Sequence, residues 1–169
     1  MKLIASFLFT LVFFSAIPVI AQEDELLTDI PKTKEEFIAS EKKLLATINW
    51  LEKTPLNEQE AKRKQLNAIV TAWIINSPTV SLEVSAKTMP SSDKNKEMVI
   101  FFMAGWTRYS LENNYSKDVL QGTIAGLKTA LGVYKNNPGI KKDKALDKLA
   151  AIDEKNELEA WVKKQLGIQ

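Results

Sequence analysis

The sequence predicts an all-α fold, a compact bundle of five to six helices arranged as two helical hairpins plus a C-terminal helix pair, with one long loop or short extended segment at about 77–95. Three observations predict it. Apolar residues recur at helical spacing over nearly all of 33–76 and 96–166, hydroxyl, amide or carboxylate residues stand where helices need capping, and no cysteine is present to supply stability by disulfides.

After Met1 comes Lys2, followed by the apolar run Leu3, Ile4, Phe7, Leu8, Phe9, Leu11, Val12, Phe13 and Phe14, and then Pro18, Val19 and Ala21. One positive charge, an oily stretch and small residues at a cut are the three parts of a secretory signal peptide, with cleavage expected after Ala21. The charge holds the start on the cytoplasmic side, and Pro18 breaks the helix before the protease site. A retained membrane anchor would want about 20 apolar residues. The acidic Glu23, Asp24 and Glu25 suit a freed terminus better than the flank of a span. The expected location is therefore secreted or periplasmic, with no stable membrane insertion once the signal is removed. Without cysteine at the cut, lipid attachment of the lipoprotein kind is impossible.

Residues 22–32 are polar and acidic, with Leu26, Leu27 and Ile30 as their only large apolar side chains, and read as a flexible tail. A single helical domain is expected over 33–169. Its first helix begins at Thr33, whose hydroxyl can cap the free amides while Glu36 reaches back. Phe37, Ile38, Leu44, Leu45, Ile48 and Leu51 form its stripe, and Pro55 ends it. Asn57 and Glu60 repeat the capping pair for a second helix carrying Leu66, Ile69, Val70, Trp73 and Ile74. The short connection makes the two an antiparallel hairpin.

Helical patterning fails from Ser77 to Asn95, where Val80, Leu82 and Val84 alternate with polar residues as in a strand. A stretch of roughly twenty residues without a helix is unusual in a compact domain, and such a loop is either functional or a segment whose helical pattern is misread. The third helix, about 96–113, is apolar nearly all round, which places it at the bundle centre. Ser116 is the expected cap of a fourth helix reaching about Lys135, with Val119, Leu120, Ile124, Leu127, Leu131 and Tyr134 on its main stripe. After the turn Asn136-Asn137-Pro138-Gly139 come two shorter helices, one over about 142–153 and one from Asn156, capped with Glu159, to Gly167. Phe102, Trp106, Leu127 and Leu131 are expected near the middle. The spacings do not recur with the period of a helical solenoid.

Composition narrows function chiefly by what is missing. Zero histidine and zero cysteine remove the usual general base, the Ser-His and Cys-His nucleophile pairs and ordinary zinc sites. Neither a metal nor a cofactor is implied. After loss of Lys2 with the signal, 22 basic face 21 acidic side chains, too even a balance for nucleic acid. Lys141, Lys142, Lys144 and Lys148 are interleaved with Asp143 and Asp147, as on a solvated helix face.

Five residues are candidate contacts for a ligand or partner. Trp50 lies roughly opposite Ile48 and Leu44, and so either packs on a second neighbour or is displayed as a binding anchor. Trp73 and Trp106 fall inside their apolar stripes and read as core. Gly122 and Gly126 share one face of the fourth helix, where they either floor a ligand groove or let a neighbouring helix nest closely. Val84 and Met89 are what the long loop offers. Among carboxylates, Glu112 and Asp118 would be the pair for histidine-free acid–base chemistry on glycans. Each also has an ordinary explanation, an ion pair with Arg108 for Glu112 and the start of a helix for Asp118. Asn114-Tyr115-Ser116 matches the short glycosylation acceptor pattern. The expectation is an exported, non-catalytic binding or interaction module. The alternatives are a protein that binds a small apolar ligand, or a carboxylate-dependent hydrolase of extracellular glycans.

Overall fold

A computed structural model describes residues 25–90 and 93–168. The segment 1–21 expected to be a signal peptide, and Gln22 to Asp24 of the expected tail, lie outside the described residues. Among the described residues six helices follow in order: α1 (Lys34–Lys53), α2 (Glu60–Asn76), α3 (Met98–Glu112), α4 (Val119–Asn136), α5 (Lys144–Glu154) and α6 (Leu158–Leu166). Among the described residues there is no strand, and the compact helical bundle is the fold class expected from the pattern.

The start of α1 follows its local sequence. Thr33 Oγ1 accepts the Glu36 amide at 3.2 Å, and the Glu36 carboxylate accepts the Thr33 amide at 3.4 Å, closing the capping box. Phe37, Leu44, Ile48 and Leu51 face the core, whereas Ile38, assigned to the same stripe, is exposed. Residues 25–32 contain no helix, yet they are not a detached tail. Leu27 is buried, and its amide donates to Thr47 Oγ1 at 2.7 Å.

Caps set by tertiary contact differ from those expected. Asn57 does not cap α2, which starts after Gln59 in the left-handed region at φ 48° with no side-chain cap. Distant groups hold this turn instead. Asn137 Oδ1 accepts the Leu56 amide at 2.8 Å, and its Nδ2 donates to the Thr54 carbonyl at 3.1 Å. From α2, Arg63 donates to the carbonyls of Leu51 at 2.9 Å, of Pro55 at 3.2 Å and of Thr54, closing the C-terminal end of α1. Asp118 rather than Ser116 caps α4, accepting the Gln121 amide at 2.9 Å. Asn156 does not cap α6 with Glu159. It occupies a left-handed turn at φ 59°, two residues before the first residue of α6, Leu158, whose N-cap Glu157 makes no side-chain cap.

The long segment between α2 and α3 is a loop, not a strand. Ser77 Oγ accepts the amides of Thr79 and Val80 at 3.3 and 3.1 Å, which turns Val80 into the core. A turn from Ser85 buries Thr88. At the far end, Asn95 exchanges hydrogen bonds with the Lys141 backbone at 2.7 and 3.0 Å, tying the loop to the approach to α5.

The α3–α4 hairpin is the most extensive helix contact and the centre of the molecule. Phe102, Trp106, Leu127 and Leu131 are all fully buried there, and the two rings meet edge to face with centroids 5.9 Å apart. Close approach requires glycine on both helices. A Cβ at Gly126 would stand 2.6 Å from the Phe102 carbonyl oxygen, one at Gly122 2.1 Å from Trp106 Nε1, and one at Gly105 2.4 Å from Thr129 Oγ1. The other expected core tryptophan, Trp73, is fully buried against Phe37 at 5.2 Å.

Candidate functional site

The glycine face does not floor a ligand groove. Phe102 and Trp106 of α3 occupy the space above Gly126 and Gly122, and both glycines are buried. Of the two readings open in the sequence, close nesting of a neighbouring helix is the one observed.

Two surface clefts bring other candidates into contact with new neighbours. The first lies where α2 runs into the loop, facing the middle of α3. It has a volume of about 390 Å³, and its lining mixes the apolar Ile75, Pro78, Leu82, Val84 and Met103 with Lys117 and the hydroxyl residues Ser77, Thr79 and Ser81. Ile75 is 70% exposed and Val84 40%, the largest exposures of apolar side chains along this rim. The loop backbone here has no regular secondary structure, and the amides of Ser81, Leu82, Glu83 and Val84 donate no hydrogen bond among the described residues. Met89 is not brought to this cleft. It sits half-buried in the following turn, its amide donating to the Ser85 carbonyl at 3.1 Å. Sequence reasoning missed Ile75, although its place beside Ile74 and off the α2 stripe was a usable signal.

Trp50 floors the second cleft. Its ring is half-buried, with the Lys62 ammonium 4.7 Å from the ring centroid and the Arg63 guanidinium carbon at 5.7 Å. Glu25, Leu26, Ala46, Asn49 and Lys53 complete a cleft of about 400 Å³. Burial lowers the Arg63 pKa, opposed by the charge of Glu97. Arginine at 63 gave no sign in the sequence of being buried, because its partners are backbone carbonyls of the preceding helix and turn.

The two carboxylates considered for acid–base chemistry have separate surroundings. Asp118 is engaged as the α4 cap, and Glu112 is exposed at the end of α3. Arg108 does not pair with Glu112. It reaches across to α1, 2.7 Å from Glu52 and 3.0 Å from Asn49. Where α1 and the α3–α4 turn meet, the Tyr115 hydroxyl donates to Glu41 Oε2 at 3.3 Å. Tyr115 is one of two successive left-handed residues, at φ 58° after Asn114 at φ 53°. Burial raises the Glu41 pKa and the Tyr115 hydrogen bond partly offsets it. Glu41 Oε1 has no hydrogen-bond partner among the described residues. Among the described residues, no group of three or more acidic side chains is placed to hold a metal ion, and no helix is long and apolar enough to cross a membrane.

Among the described residues the chain is thus a six-helix bundle with a groove of mixed apolar and hydroxyl lining at one loop and a tryptophan-floored cleft, carrying Lys53, Lys62 and Glu25, at the α1–α2 hairpin. No family model matches this chain, and no curated protein or solved structure matches it.

Proposed function

We propose that the chain acts after export as a non-catalytic interaction module whose groove beside the α2–α3 loop takes an extended, apolar peptide segment of a partner protein. The observation that carries this is the pairing of Ile75, 70% exposed, with Val84, 40% exposed, on one groove. Burying a fully exposed aliphatic side chain of this size contributes roughly 1.5–3 kcal/mol, and covering the part of Ile75 and of Val84 that remains in water recovers a share of that, which favours a partner that covers them. The amides of Ser81 to Val84 add a direction. Backbone donors left unpaired along four successive loop residues suit a strand laid alongside, with alternate side chains entering the groove. Lys117 at the edge favours an acidic residue at one end of that segment. Export rests on the leader pattern of charge, oily stretch and small residues up to Ala21.

Selection from a random peptide display library tests the groove. Recovered peptides should carry apolar residues at alternating positions, and Ile75→Asp or Val84→Asp should weaken their binding at least tenfold. Affinity unchanged in both variants would refute the groove assignment. Point substitutions are preferable to deleting the loop, because Thr88 and Asn95 within it are buried and help hold the fold.

A further inference from the structure

The Trp50 cleft carries an excess of positive charge that its own surroundings do not cancel. Three acidic or electronegative features lie in or beside it, Glu25 among its lining residues, and each is already engaged. Glu25 pairs with Lys43 at 2.9 Å, and Glu52 pairs with Arg108 at 2.7 Å. The negative end of the α1 dipole, the third, is met by Arg63, whose guanidinium donates to the carbonyls of Leu51, Thr54 and Pro55. Lys53 and Lys62 are left at the rim with no ion pair among the described residues. Lys62 is held instead over the Trp50 ring, 4.7 Å from its centroid. The inner wall is apolar, formed by Leu26, Ala46 and the accessible part of Trp50.

We propose that this cleft binds a small amphipathic carboxylate, an organic acid with a flat or compact apolar body. The body lies against Trp50, Leu26 and Ala46, and the carboxylate sits between the ammonium groups of Lys53 and Lys62. A volume of about 400 Å³ falls within the range of small-molecule sites and suits a body the size of two fused rings. The cation already resting on the indole gives the acid a charge partner next to its apolar contact. A neutral ligand of the same shape gains only the apolar half. The site is separate from the groove at Ile75 and Val84 and does not depend on a peptide binding there.

The test is a nuclear magnetic resonance titration of the exported chain with 2-naphthoate and with its neutral counterpart 2-naphthalenemethanol. The Trp50 indole N–H signal is identified by its loss in Trp50→Phe. Naphthoate should move that signal saturably while the signals of the buried Trp73 and Trp106 stay in place. The alcohol should bind at least tenfold more weakly. Lys53→Gln with Lys62→Gln should cut naphthoate affinity at least tenfold without changing that of the alcohol. Both lysines are exposed, and unmoved Trp73 and Trp106 signals would report an intact fold in the double variant. A Trp50 signal that stays still at millimolar naphthoate overturns the proposal, as does equal affinity for acid and alcohol. Loss of naphthoate binding in Val84→Asp, with Trp50 unaffected, would assign the ligand to the groove and overturn it equally.

Discussion

Two glycines six residues apart on α4 should respond to alanine in opposite directions. At Gly126 an added Cβ would lie 2.6 Å from the Phe102 carbonyl oxygen and 2.8 Å from its ring, about 0.8 Å short of ordinary contact at 3.4 Å. The first obstacle is backbone, and the second is a fully buried ring, so α3 and α4 must move apart along their most extensive contact. Overpacking of this kind costs up to about 3 kcal/mol. Alanine returns about 1 kcal/mol of helix propensity. The expected net loss for Gly126→Ala is therefore about 2 kcal/mol, a fall in Tm of roughly 4–8 °C for a chain of this size. At Gly132 an added Cβ meets nothing within 4 Å. Gly132→Ala should accordingly keep the whole propensity gain, about 1 kcal/mol, and raise Tm by roughly 2–4 °C. Denaturant unfolding followed by circular dichroism gives both values from the same assay. If Gly126→Ala proves as stable as the parent, the two helices do not approach as closely as described, and the packing argument for the glycine face fails.

Arg63→Met should destabilise the fold by about 3 kcal/mol in denaturant unfolding, because it strips a charged donor from three carbonyls at the end of α1 and the following turn. Arg63→Lys should recover less than half of that, since one ammonium cannot span the same acceptors; a loss under about 0.5 kcal/mol in Arg63→Met would show that water serves these carbonyls equally well. For Glu41 the sign follows from its raised pKa. The folded state holds the proton more tightly than the unfolded chain, so the parent loses stability as pH rises from 4.5 through the folded value. Glu41→Gln should be more stable than the parent at about pH 7.5 and indistinguishable from it below about pH 4, with thermal melts at both values as the check. A difference that persists in acid would mean that burial of charge is not its cause.

Residues 33–76 show what local pattern conveys. The α1 capping box and the buried faces of α1 and α2 were legible because each depends on residues three or four positions apart. The α2 cap was not, because the turn before it is held by Asn137, 81 residues from Leu56, and by Arg63. Val84 could be picked out as an apolar residue in a long loop. That it would share a groove with Ile75 and Met103 depends on how the loop lies against α2 and α3. Trp50 was recognisable as the tryptophan off its helix stripe, but the two lysines that give its cleft a charge gain that meaning only from the folded hairpin and the segment at Leu26.

By itself the sequence determined an all-helical chain, the positions of its helices to within a few residues, and the side chains at its centre. These follow from periodicity and from the burial of apolar surface, which act over one or two turns of backbone. Only the tertiary structure decided that Phe102 and Trp106 fill the glycine face, that Arg63 closes α1, and which exposed residues share a cleft. Those outcomes depend on the distance and angle between helices far apart in the chain, and no local spacing encodes either.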